Sequence, residues 1–329
     1  MASKASMELP GGYKMPAVGL GTWEAKDETE LESALNAALE AGYRHIDTAL
    51  VYENEVLIGK ILKKWFDSGK IKREELFITT KLPVFGVRAS SVEEYMKKSL
   101  ENLGLEYVDL YLIHFPVCMK LNDGPLFEPN SKEPKTVETE VTDHIAVWKK
   151  MEEQVDAGRT RSIGLSNFTG QQIEKILKSN PKHKPANLQN EIHVYMQQQE
   201  LVNYCHQNGI TVTAYSPLGS PGINKFLVSL GLEPKEIPNM LSDETIKGIA
   251  KKHNKTNAQV MLRYLHQRNI IVIPKSVTPS RLKENIDIFD FELDAEDMAA
   301  LNSLEVGPKA RVCDWGVFPG LENNSEYPF

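Results

Sequence analysis

Short apolar runs alternate with amphipathic helical patterns eight times along this chain, and that alternation restricts the possible folds more than any other feature. The runs lie at residues 17–21, 44–47, 76–81, 108–114, 161–166, 186–190, 211–215 and 270–274. Each is short and rich in β-branched or apolar residues, as buried parallel strands are. Between them, Leu31, Ala34, Leu35, Ala38 and Leu39 recur on one helical face. Asp27 with Glu30 supplies a capping-box start to that helix and Gly42 a stop. Leu57, Ile58, Ile61, Leu62 and Trp65 form a second face, and Ser91 with Glu94 opens a third helix. Trp148, Met151 and Val155 mark a fourth that ends near Gly158. Ile173, Ile176 and Leu177 mark a fifth, which Asn180-Pro181 ends. Such alternation fits a closed barrel or an open doubly wound sheet. The count of eight favours the barrel, and Gly19-Leu20-Gly21 lacks the third glycine of a dinucleotide fingerprint. The expectation is an α/β chain: a single (β/α)8 TIM barrel, one domain over residues 1–329.

Four segments fall outside the alternation. Residues 7–15 read as an N-terminal hairpin turning at Pro10-Gly11-Gly12. Residues 115–143 hold Asn122, Gly124, Pro125, Pro129, Asn130, Ser131 and Pro134, which spell a loop. Residues 216–241 open with Pro217, Gly219, Pro221 and Gly222 and read as a second loop. Residues 307–329 carry Trp315, Phe318, Tyr327 and Phe329, and are expected to pack over the barrel mouth. Loops this long in compact domains are usually functional.

Charge and cysteine content narrow the function classes. The net charge of -7 comes from acidic and basic residues mixed throughout, which argues against a nucleic-acid partner. Cys118, Cys205 and Cys313 are too widely spaced for a zinc motif or a disulfide framework, so reduced thiols are expected. Residues 1–8 lack the apolar run of a signal peptide, and no apolar stretch reaches membrane-spanning length. A soluble, cytoplasmic chain follows as the expectation.

In such a barrel, chemistry gathers at the C-terminal ends of the strands. There the sequence delivers Asp47 with Tyr52 just beyond, then Lys81, His114, Ser166-Asn167, Gln189, Tyr215-Ser216 and Lys275-Ser276. Each alone has an ordinary reading: Asp47 as a cap or ion-pair partner, Tyr52 as packing, Lys81 as solvated, His114 as a satisfied core histidine. Together they form one coherent set. His114 has no neighbouring ligand for a metal, and Ser166 sits in no GxSxG elbow. Proton transfer fits better. A Lys81 ammonium lowers the pKa of a nearby Tyr52 phenol, Asp47 anchors the lysine, and His114 orients a carbonyl oxygen.

With these residues in place the chain resembles the aldo-keto reductase superfamily. The likeness runs through Gly19-Leu20-Gly21-Thr22-Trp23, Gly42-Tyr43-Arg44-His45-Ile46-Asp47-Thr48-Ala49, and Tyr52 with Asn54-Glu55. It continues through Thr79-Thr80-Lys81-Leu82, Asp109-Leu110-Tyr111-Leu112-Ile113-His114, Gly164-Leu165-Ser166-Asn167-Phe168, Gln189-Asn190-Glu191 and Tyr215-Ser216-Pro217-Leu218-Gly219. Ile273-Pro274-Lys275-Ser276-Val277-Thr278 and Glu284-Asn285 complete it. The resemblance implies NADPH-dependent reduction of aldehydes and ketones by a monomer, with Asp47, Tyr52, Lys81 and His114 as the catalytic tetrad. Tyr215 would stack on the nicotinamide, with Ser166, Asn167 and Gln189 on its carboxamide. Gly21, Thr22, Trp23, Ser216, Leu218, Ser220 and Ala258 would line the cofactor. Lys275, Ser276, Val277, Thr278 and Arg281 would take the 2′-phosphate, and Glu284 and Asn285 the adenine. Histidine at 114, where steroid double-bond reductases of the superfamily carry Glu, implies carbonyl chemistry. A cofactor-binding regulatory or structural barrel without turnover is the alternative, against which the intact tetrad argues.

Two departures stand out. Many relatives clasp a loop over the cofactor with Lys and Asp where this chain has Glu24 and Gly222, so that clasp is expected to be missing and NADP+ to leave faster. Relatives often carry Trp where Pro83 and Phe115 stand, which implies a wider substrate pocket lined by Trp23, Val51, Phe85, Phe115 and Trp315. Bulky ketones are then expected beside small aldehydes. The likeness is greatest to insect members, some of which reduce 3-dehydroecdysteroids.

Overall fold

The computed structural model describes residues 5–120 and 137–329. The chain runs through β1 (Ser6–Glu8), β2 (Lys14–Pro16), β3 (Leu20–Gly21), α1 (Glu28–Ala41), β4 (His45–Asp47), α2 (Glu55–Asp67) and β5 (Phe77–Leu82). Next come α3 (Val92–Leu103), β6 (Val108–Ile113), β7 (Cys118–Lys120), β8 (Glu138–Glu140), α4 (His144–Asp156), β9 (Thr160–Ser166) and α5 (Gly170–Lys178). Then β10 (Asn187–Glu191), α6 (Gln199–Gln207), β11 (Thr211–Tyr215), α7 (Ile223–Ser229), α8 (Glu244–His253), α9 (Asn257–Gln267), β12 (Ile270–Val272), α10 (Pro279–Ile286) and α11 (Ala295–Asn302) follow.

Eight of these strands form one sheet in the order β3-β4-β5-β6-β9-β10-β11-β12, and the registered pairs are parallel. The sheet closes on itself. Val18 bridges Val272 and Gly21 bridges Lys275, both parallel, and the Gly19 amide donates to the Val272 carbonyl at 2.9 Å. A Cβ on Gly21 would stand 2.6 Å from the Ile273 carbonyl oxygen, so glycine is what lets the first and last strands approach. The expected barrel is therefore present, although regular pairing covers only residues 20–21 of the first run and stops at Val272 in the last.

The two faces of a strand serve different layers. In β6, Leu110 and Leu112 join Phe77, Ile271 and the hairpin residues Leu9 and Met15 in one cluster that plugs the barrel interior. Tyr111 and Ile113 point the other way, into the apolar layer shared with the helices. The hairpin β1–β2 pairs Met7 with Met15 as expected, and its Gly12 amide returns to the Leu9 carbonyl at 3.0 Å. Asp27 caps α1 by accepting from the Glu30 amide, and Gly42 ends it in the left-handed region at φ 101°. Ser91 stands before α3 but makes no side-chain cap bond, because its backbone is already helical.

Two loop expectations need correction. Cys118–Lys120 and Glu138–Glu140 pair antiparallel, so the ends of the 115–143 segment form a small ribbon. The turn residues that marked that segment, Asn122 to Pro134, lie outside the described residues. The 216–241 segment contains α7, whose Ile223, Phe226 and Leu227 are buried with Leu230, Val312 and the partly buried Trp23. Burial of this short face stabilises a helix that the flanking Pro and Gly residues conceal.

Candidate active site

Asp47 ends β4, Lys81 is the penultimate residue of β5, and His114 follows β6. Ser166 ends β9, Gln189 lies in β10, and Tyr215 ends β11. Tyr52 closes a single 3-10 turn, Leu50–Tyr52, that carries the chain from β4 back over the mouth. The four residues expected as a tetrad come together there. Lys81 Nζ, fully buried, donates to Asp47 Oδ1 at 2.6 Å, to the Thr48 carbonyl at 2.9 Å and to Tyr52 Oη at 3.2 Å. Its three donors are thus all used. Gln189 Nε2 donates to Asp47 Oδ2 at 2.7 Å, which holds the carboxylate from its other side. The Tyr52 and His114 rings meet edge to face with centroids 5.6 Å apart.

The charge states follow from burial and neighbours. Burial pushes the Tyr52 phenol above its usual range, and the Lys81 ammonium only partly offsets it. That corrects the sequence expectation: the lysine acts in the anticipated direction, but desolvation is larger, so the phenol keeps its proton at neutral pH. Burial also opposes the Lys81 charge, yet the Asp47 carboxylate and Tyr52 outweigh it and hold the amine above its usual range. Burial and the nearby Lys81 hold His114 well below the ordinary imidazole value, so it is neutral. Tyr215, raised well above its usual range by burial, donates from its hydroxyl to Asn167 Oδ1 at 2.6 Å, and Asn167 Nδ2 donates to the His114 carbonyl at 2.9 Å. This chain of bonds locks the strand ends together.

A cleft of about 1110 Å³ opens above these groups. Asp47, Tyr52 and His114 line it, while Lys81 stands behind them. All the residues expected along a cofactor line it as well: Gly21, Thr22, Trp23, Ser166, Asn167, Gln189, Tyr215, Ser216, Leu218, Ser220, Ala258, Lys275, Ser276, Val277, Thr278, Arg281, Glu284 and Asn285. Of the residues expected around a substrate, Trp23, Val51 and Trp315 line the cleft. Phe85 and Phe115 do not. Phe115 is fully buried behind Trp315, with ring centroids 4.6 Å apart, and Phe85 packs edge-on against Tyr95.

The C-terminal segment crosses the mouth as expected. Trp315, in the left-handed region at φ 58°, meets His114 edge-on at 5.8 Å. The sequence reading missed Lys225, Phe226 and Lys235, which reach the cleft from α7 and the loop after it. The spacing of Ile223, Phe226, Leu227 and Leu230 was the available signal. Lys235 Nζ pairs with both oxygens of Asp314, at 2.5 and 2.6 Å, and Phe226 meets Trp23 edge-on at 5.0 Å. These contacts tie the 216–241 segment down without any pairing of Glu24 with residue 222. Glu24 lines the cleft instead, its carboxyl raised by burial against the pull of Lys26 and Lys275.

A closed parallel barrel with an acid–base cluster at the carboxyl ends of its strands is the architecture of a barrel enzyme. The chain belongs to the aldo/keto reductase family, whose model matches residues 17–306. It is 43% identical over 304 residues to "Aldo-keto reductase family 1 member A1-A" of Danio rerio, covering 91% of this chain and 89% of that one. It is 42% identical over 297 residues to "Aldose reductase B" of Dictyostelium discoideum, covering 89% of each. Among solved structures, the aldose reductase from Schistosoma japonicum superposes with a TM-score of 0.86 at 41% identity, over 98% of both chains.

Proposed function

We propose that this chain reduces aldehydes and ketones to alcohols with NADPH, and that Tyr52 supplies the proton. The observation that carries the reading is the buried Lys81 ammonium held between the Asp47 carboxylate and the Tyr52 hydroxyl at the floor of the cleft. The donor set suits the cofactor. The cleft offers the Tyr215 ring beside Asn167 and the Ser166 hydroxyl, with the Gln189 amide also in its lining. Two cations and two hydroxyls that line the same cleft, Lys275, Arg281, Ser276 and Thr278, suit a phosphate monoester, and Glu284 and Asn285 could hold a base. When bound, NADPH supplies a hydride.

The protein's own groups do the rest. Tyr52, protonated at neutral pH, donates to the carbonyl oxygen as negative charge develops there. Lys81 stabilises the phenolate left behind, and Asp47 keeps the ammonium aimed at it. Neutral His114 offers a ring N–H that orients the carbonyl oxygen. Trp23, Val51 and Trp315 make an apolar wall that excludes water. The apolar lining by Trp23, Val51 and Trp315 is what supports bulky apolar ketones, including 3-dehydroecdysteroid-like steroids, as substrates beside small aldehydes, since Pro83 and Phe115 do not line the cleft and add no width to it. The free thiols Cys118, Cys205 and Cys313 suit work in the reducing cytoplasm, and we take the acting unit to be a single-domain monomer.

A panel of small aldehydes and a steroid ketone, each offered with NADPH or NADH, tests the reading. Consumption of NADPH well above that of NADH is expected with an aldehyde. No turnover of any carbonyl would refute the enzyme, equal use of NADH would refute the phosphate site, and turnover of small aldehydes alone would remove the steroid substrate.

A further inference from the structure

Glu191 ends β10 and is fully buried, as is its side chain. Its carboxylate faces no lysine or arginine among the described contacts. Oε1 accepts from the Val312 amide at 2.7 Å and lies 3.0 Å from His193 Nε2, and Oε2 accepts from the Cys313 amide at 2.7 Å. The His193 tautomer follows from its other nitrogen: Nδ1 accepts at 3.1 Å from the Met196 amide, a donor it shares with the His193 carbonyl at 3.0 Å. The proton therefore sits on Nε2, which donates to Glu191. Three N–H donors converge on an acceptor-only carboxylate, the arrangement that offsets a buried charge without a cation.

Two of those donors belong to the C-terminal segment, at the point where it enters the mouth. Two residues further on, Trp315 forms the wall against His114 and Phe115. Glu191 also stands beside Tyr215 in the β10–β11 register. The carboxylate thus links the strand that carries Gln189 to the segment that walls the substrate space.

We propose that Glu191 is a positioning residue that sets the width of the carbonyl pocket, by pinning the Val312 and Cys313 amides and through them Trp315. This inference rests on the reading of the site as a carbonyl reductase. The full-length chain carrying Glu191→Gln tests it. The amide keeps the volume but turns a donor toward groups that are themselves donors, so at least one of the three bonds is lost. Amide exchange at Val312 and Cys313 is expected to quicken about tenfold. KM for an aromatic aldehyde is expected to rise about tenfold while kcat and KM for a short aliphatic aldehyde stay within about twofold. His193→Phe removes one donor and leaves the carboxylate, so it moves both readouts the same way and less; it serves if Glu191→Gln does not fold. His193→Gln, which restores an N–H, should return them toward the wild type.

Unchanged exchange at 312 and 313 overturns the anchor. Equal KM changes for both aldehydes, with exchange quickened, overturn the control of pocket width. If the wild-type chain consumes NADPH with neither aldehyde, the carbonyl-reductase reading falls and the pocket half of the inference with it, while the exchange rates still decide the anchor.

Discussion

Replacing Lys81 by methionine removes the cation that the site is built around and keeps its volume. Two effects follow, and they can be separated. The first falls on Tyr52. An ammonium 3.2 Å from the phenol oxygen interacts with a full phenolate charge by about 5 kcal/mol at an effective dielectric of about 20. If about half of that charge has developed in the transition state, the loss is about 2.5 kcal/mol, or roughly 70-fold in rate. This lies near the lower end of what general acid catalysis contributes, ~10²–10⁴-fold. The second effect falls on Asp47, which is left as a buried carboxylate without its cation, at a cost of ~3–5 kcal/mol. For a chain of 329 residues, an unfolding entropy of about 2.1 cal/mol/K per residue turns about 4 kcal/mol into a fall in Tm of roughly 6 °C. The assay is NADPH consumption with a small aldehyde, together with thermal unfolding. Lys81→Met should lose about two orders of magnitude in kcat, with NADPH affinity unchanged, and should melt several degrees lower. The double variant Asp47→Asn, Lys81→Met removes both charges, so it should recover much of the Tm and none of the rate. A Lys81→Met enzyme that keeps a third or more of its kcat would refute the reasoning, as would a double variant whose rate recovers with its stability.

Three further outcomes can be checked. Lys235→Met cuts the part-exposed pair with Asp314, worth ~1 kcal/mol, so stopped-flow release of NADP+ should quicken about fivefold; unchanged release means the 216–241 segment is held by its apolar face alone. Arg281→Ala should weaken NADPH about tenfold or more and leave NADH untouched, and equal weakening of both would remove Arg281 from the 2′-phosphate. His45 is buried and its imidazole held down to about 4, chiefly by desolvation. The unfolded chain therefore takes up a proton near pH 6.5 that the folded chain refuses, and stability falls as pH drops from about 6.5 toward 4, by on the order of 3 kcal/mol from this residue. NMR of the His45 ring should show no titration above about pH 5, and a midpoint near the free value would contradict the assignment.

The alternation made a parallel α/β sheet legible, because Val and Ile runs buried on both faces look the same in any such sheet, and it was the count of eight, without a glycine fingerprint, that made it a barrel. The tetrad was legible for a related reason: Asp47, Lys81 and His114 each end an apolar run, and strand ends converge in a barrel. The local detail was not. Proline and glycine at 217–222 conceal α7, which owes its stability to Trp23 and Val312 from distant parts of the chain. The strands β7 and β8 are three residues each and find each other across the intervening segment, so no local pattern announces them. Tyr52 shows why charge states escape a sequence: its lysine neighbour can be inferred, but the depth of burial that outweighs the lysine cannot. The resemblance puts Phe115 at the pocket, whereas Tyr327 and Phe329 pack against it from the far terminus. Glu191 is a similar case, with partners more than a hundred residues away.

The proton donor is the claim on which the rest stands, and Tyr52→Phe addresses it most directly, since it deletes a single oxygen from the cluster. NADPH binding measured by fluorescence titration should match the wild type, while single-turnover reduction of a small aldehyde should slow by at least about a hundredfold. Reduction at a near-normal rate by the phenylalanine variant would mean that the proton comes from elsewhere.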